Sequence, residues 1–162
     1  MLNRHCIFMC LLLTLVSGCE LLEPLHKYDR MQGIYGKVLF WDGNFGLSLH
    51  PKTKAWRGHG TILPVIRNVY ACMEVNLSEV CQVAAGIPFY SNITPFVVDS
   101  TVSNSSGHFI FQLEPGTYSL FVKEDSLYYS SIFDGKGAIY PITVRDGQFE
   151  WVEFNITYRA IF

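Results

Sequence analysis

Charge is sparse in this sequence of 162 residues: Lys and Arg total 12, Asp and Glu 14, and the formal net charge is −2. No Lys/Arg cluster breaks that near-balance, so the electrostatic footprint of a nucleic-acid binder is missing. The one long apolar run, Cys6 to Val16, is too short to cross a bilayer as a helix. Outside it no segment combines helix caps with a 3.6-residue period. Motifs for chemistry are lacking as well. There is no His-Glu-x-x-His, no paired Cys-x-x-Cys and no Gly-x-Ser-x-Gly elbow, and Gly33-Ile34-Tyr35-Gly36-Lys37 has neither the spacing nor the context of a phosphate loop. The turn Ser103-Asn104-Ser105-Ser106-Gly107 has only Asp99 nearby, too little carboxylate for calcium. The expectation is therefore a protein that is not an enzyme, with no metal ligands, no catalytic residues and no cofactor. His50 and His59 share a long loop with Trp56 and Arg57, where solvent-exposed histidines are the commoner occurrence.

What is present is hydrophobic and aromatic. A content of 49% hydrophobic and 15% aromatic residues argues against disorder and for one domain with a real core. The dominant period is two. Phe109, Phe111 and Leu113 alternate with His108, Ile110 and Gln112, and Tyr118, Leu120 and Val122 alternate with Ser119, Phe121 and Lys123. Glu114-Pro115-Gly116-Thr117 between them suits a type II turn, which predicts a hairpin. Val97 to Val102 arrives as a further strand before the polar turn ending at Gly107.

The same reading assigns strands to Gly33–Trp41, Leu63–Val75, Leu127–Phe133, Ala138–Arg145 and Gln148–Tyr158, with a short return strand at Val80–Ala85. Asp146-Gly147 is a hairpin signal. The segment from Asp42 to Gly60 has no sustained period and is the longest irregular stretch. Turn signals at intervals of about 8–12 residues predict an all-β fold, an antiparallel Greek-key β-sandwich of about seven to nine strands in two sheets.

Phe109-x-Phe111-x-Leu113-x-Pro115-Gly116-Thr117-Tyr118-Ser119-Leu120, preceded by a polar turn ending in Gly107, resembles the carboxypeptidase regulatory-like domain. Gly33-Ile34-Tyr35-Gly36-Lys37-Val38 is similar to that family's first strand, and Phe154-Asn155-Ile156 to its last. The resemblance covers residues 33–162 and implies a prealbumin-like (transthyretin-like) sandwich. That module serves as spacer, binding unit or appendage to larger proteins, so the resemblance implies little about function.

Residues 1–18 read as a signal peptide, with Arg4 ahead of the apolar run. Val16-Ser17-Gly18-Cys19 resembles the bacterial lipobox, which implies that Cys19 is acylated, palmitate included, and becomes the mature N-terminus. Several acyl chains make such an anchor effectively stable. Residues 19–32 then form the acylated cysteine and a tether, and Glu20 is compatible with the outer membrane. The expected partners are the membrane, through the lipid, and an envelope protein or a carbohydrate.

Of the five cysteines, Cys6 and Cys10 leave with the signal and Cys19 is the anchor, so Cys72 and Cys81 remain. In an oxidising envelope they are expected to pair, contributing roughly 2–3 kcal/mol in the chain-entropy model; two free thiols are the alternative. The aromatic surplus leaves Ile110 and Phe121 opposite the core-facing residues, with Trp151 on the outer face of the last strand. That face is either covered by the loop from Asp42 to Leu63 or open to a partner or a sugar. Trp56, Tyr128, Tyr129 and Trp151 are the candidate contacts, with only one of the adjacent tyrosines able to face outward.

Overall fold

A computed structural model describes residues 31–46, 48–49 and 56–162. The expected signal peptide 1–18, Cys19, the expected tether as far as residue 30, His50 and the Trp56 side chain lie outside what it describes. Among the described residues twelve strands run in chain order: β1 (Gly33–Asn44), β2 (Ser48–Leu49), β3 (Trp56–Arg57), β4 (Thr61–Pro64), β5 (Asn68–Met73), β6 (Phe89–Tyr90), β7 (Val97–Val102), β8 (His108–Gln112), β9 (Gly116–Glu124), β10 (Leu127–Tyr129), β11 (Pro141–Val144) and β12 (Phe149–Ile161). The only helical pieces among the described residues are two 3-10 turns, Leu77–Glu79 and Thr94–Phe96.

The strands form an all-β sandwich of two antiparallel-rich sheets. In the first, β1 is central. It pairs with β12 along one edge, and its other edge is shared by β8, opposite Gly33–Lys37, and β4, opposite Leu39–Asp42. In the second, β9 is central, with β5 and then β7 on one side and β11 and β10 on the other; β6 lies beyond β10. β2 and β3 pair separately. Ile34, Val38, Phe109, Phe111, Phe154 and Ile156 meet Val69, Ala71, Leu120, Val122 and Tyr129 in the core, all but Phe109 at 1% exposure or less. Their alternation along each strand is the reason the sheets stack on these faces.

Five sequence expectations change. Asp146-Gly147 does not close a hairpin: β11 pairs with β9 in the second sheet and β12 with β1 in the first. The pairing of β1 with β12 is parallel, so the sheet is mixed. The segment 108–124 is not a hairpin: β8 pairs with β1 in the first sheet, and β9 with β5, β10 and β11 in the second. Gly116 is not among the residues with positive φ and already belongs to β9. The turn is a crossover between layers, tied by the Tyr118 hydroxyl donating to the Glu114 carbonyl at 2.9 Å. The stretch 63–75 likewise divides into β4 and β5, in different sheets. Buried Ser103 holds that crossing: its hydroxyl donates to the Val65 carbonyl at 2.8 Å and accepts from the Arg67 N–H at 2.8 Å. Finally, 80–85 forms no strand; it contributes one isolated bridge, Gln82 to Tyr90.

The cover of the outer face is also redistributed. Phe121 is fully buried, packed edge-on against fully buried Tyr90 at 5.6 Å. The connection from β5 to β7 lies over this face of the second sheet, burying Val75 and Ile93 completely, with the Val75 N–H donating to Ser119 Oγ. On the first sheet, Phe45 packs on Trp41 and on Phe162 at the end where β1 and β12 finish.

Candidate functional site

The outer face of the first sheet carries an open apolar row across β8, β1 and β12. The register places Ile110 of β8 opposite Tyr35 of β1, and Tyr35 opposite Trp151 of β12. Their exposures are 57%, 41% and 50%, so three large side chains in lateral contact across three strands face solvent. Tyr35 meets the Trp151 indole at 5.0 Å between centroids and Phe149 at 6.2 Å, both edge-on, which fixes the indole from one side. The next row along the strands is polar: His108, Lys37 and Glu153.

Trp151 also borders a groove. β11 and β12 are consecutive in the chain but belong to opposite sheets, so the sandwich opens along their edges. The opening has a volume of about 430 Å³ and is lined by Tyr140, Thr143, Arg145, Glu150, Trp151 and Glu153, among others. Arg145 Nη1 donates to Glu150 Oε1 at 2.7 Å at one end. At the other, the Tyr140 hydroxyl donates to the Glu153 carbonyl at 2.8 Å while its ring stacks on Phe154 at 5.0 Å. Burial raises the Tyr140 phenol above its ordinary range, with the Glu153 charge adding to it, so the hydroxyl stays a donor.

The other expected contacts separate by burial. Tyr129 is fully buried, so it is corrected to a core residue; its hydroxyl accepts from the Thr157 N–H at 3.1 Å. Tyr128 is half-buried on the other face, edge-on to Tyr70 at 5.2 Å with the Lys123 ammonium 5.3 Å from its ring. It does not adjoin Trp151, because β10 and β12 lie in different sheets. Tyr35 is the contributor that sequence reading passed over; period two sets it on the face of β1 opposite buried Ile34 and Val38.

The expected disulfide is not formed. Cys72 and Cys81 are both free, Cys72 fully buried in β5 and Cys81 exposed beyond the Leu77–Glu79 turn. Cys72 pairs with Ser119 of β9 on the face that the β5–β7 connection covers, and burial there pushes the thiol up to about 12. Among the described residues no cluster of three or more His, Cys, Asp or Glu side chains could hold a metal ion.

Comparison with protein-family models, with curated proteins and with solved structures finds no match.

Proposed function

We propose that this protein is a bacterial envelope lipoprotein, acylated at Cys19 and delivered to the outer membrane, whose carboxypeptidase regulatory-like sandwich is a non-catalytic binding module. The observation that carries the binding role is the uncovered row Ile110–Tyr35–Trp151. Three large apolar side chains side by side on a sheet face lose solvent together when a partner docks, and a purely structural module gains nothing by leaving them open. The anchor rests on the lipobox-like Val16-Ser17-Gly18-Cys19.

Two measurements test the two halves. The mass of the N-terminal peptide from membrane fractions is expected to show diacylglyceryl and acyl groups on Cys19, with Cys19→Ala released from the membrane; an unmodified, soluble wild type would overturn the anchor. A photo-cross-linking residue at position 110 is expected to capture an envelope component in cells, while the same residue at Ser126, in the turn between β9 and β10 of the other sheet, does not. Equal yields at both positions would overturn the binding surface.

A further inference from the structure

We infer that the groove between β11 and β12, with the Trp151 indole as its platform, is a subsite for a neutral oligosaccharide. This deepens the binding role above and rests on it. The opening, about 430 Å³ and largely open to solvent, brings Thr143, Arg145, Glu150 and Glu153 beside Trp151. A half-exposed indole held edge-on by Tyr35 is therefore set in a polar trough.

The groove's own bonds select among ligand classes. Its cation is compensated: Arg145 is paired with Glu150 at 2.7 Å. Glu153 Oε1 accepts the Asn155 amide at 3.2 Å. No uncompensated cation is left to attract a phosphate or an acidic ligand. The polar lining disfavours an acyl chain. A peptide adding as a strand to β12 would need a continuous free edge, and the Tyr140 hydroxyl already occupies the Glu153 carbonyl, as the Tyr129 hydroxyl does the Thr157 N–H. A pyranose meets what remains. Its C–H face stacks on the indole, and its edge hydroxyls both donate to carboxylates and accept from a guanidinium or a threonine hydroxyl. Because Tyr35 and the Arg145–Glu150 pair hold these groups in place beforehand, little conformational entropy is lost on binding.

The test is calorimetric titration of the full chain with maltotetraose, cellotetraose and chitotetraose. At least one is expected to bind saturably, and Trp151→Ala to weaken it about tenfold or more, whereas Trp151→Phe retains most of the affinity. Glu153→Gln, at an exposed position where no core packing is lost, is expected to weaken the same titration. Failure of all three sugars to bind, or binding unchanged in both Trp151→Ala and Glu153→Gln, overturns the inference. Cross-linking from position 110 keeps the two readings separate: capture at 110 without sugar binding sinks the sugar and leaves the binding module, and absence of both sinks both.

Discussion

Tyr140 donates its hydroxyl to the backbone carbonyl of Glu153 from a left-handed backbone conformation, φ 42°, immediately before Pro141. Few non-glycine residues occupy this region, and a bulky one is held there only by its surroundings. Here the surroundings are the stack on Phe154 and the bond to Glu153. Together they plug part of the free edge of β12, the longest strand and the rim of its sheet. An open edge of that length would be a template for another chain.

Removing only that hydroxyl, by Tyr140→Phe, keeps the stack and frees the carbonyl. The expected cost is about 1 kcal/mol, read as a lower urea midpoint with unchanged slope. A midpoint equal to wild type would mean that water replaces the bond at no cost and that the edge does not depend on it.

At Gly36 the strands that flank β1, β12 and β8, leave no room for a side chain. A Cβ there would sit 2.2 Å from the Val152 carbonyl oxygen and 2.8 Å from the Phe109 ring. Gly36→Ala is therefore expected to push β12 off β1 or Phe109 out of its packing, at about 1–3 kcal/mol as for other overpacked cores. Thermal unfolding checks it, with Ser126→Ala, at an exposed turn, as the substitution that leaves the transition in place.

Ser103→Ala tests the crossing from β4 to β5. The Val65 carbonyl loses its donor and the Arg67 N–H its acceptor, at a cost of about 1–3 kcal/mol for polar groups left unpaired. Amide exchange is the discriminating readout. Residues 65–67 are expected to lose protection ahead of β9, and uniform loss across both sheets would show that the crossing is not a separate weak point.

That crossing also shows what could be read from the sequence and what could not. Period two located most of the strands of four residues or more, because alternation reports which side chains face the core. It does not report which sheet a strand joins. Phe109, Phe111, Leu120 and Val122 point inward whether their strands form a hairpin or lie in opposite layers, so parity alone left the wrong partner in place. Parity also placed Ile110, Phe121 and Trp151 outward. Two stayed open and Phe121 was buried, because the irregular connection from β5 to β7 lies over the second sheet, and such a segment carries no period to say where it rests. Of the candidate contacts, Trp151 was legible from its strand. The groove beside it was not, since it arises from β11 and β12 parting into different sheets.

The two remaining thiols should differ sharply in reactivity. In a chain with Cys6, Cys10 and Cys19 replaced by Ser, maleimide is expected to label exposed Cys81 within the native state. Buried Cys72, its thiol pushed up to about 12 by desolvation, labels only on unfolding. Non-reducing peptide mapping that finds Cys72 joined to Cys81 would contradict the free thiols.

Alkali should unfold the protein through the groups that it keeps protonated. Cys72 rises from 9.0 to about 12 by burial. Tyr158 rises from 10.0 to about 12, first by burial and then because its hydroxyl donates to Glu124 Oε2 at 2.9 Å, beside the Arg67–Glu124 ion pair. A folded-state pKa above the unfolded value means that the unfolded chain gives up its proton first. The stability these groups contribute is thus fully present below about pH 9 and drains away as pH rises toward 12. Urea midpoints across that window are expected to fall for wild type. Cys72→Ala should remove the part that begins near 9, and Tyr158→Phe a share of the part that begins near 10, to which buried Tyr140 also contributes, so that the double variant is the flattest of the four. A wild-type midpoint constant to pH 12, or a Tyr158→Phe variant falling as steeply as its parent, would show that these side chains titrate alike folded and unfolded. The Tyr158–Glu124 bond across the two sheets would then contribute nothing that depends on the proton.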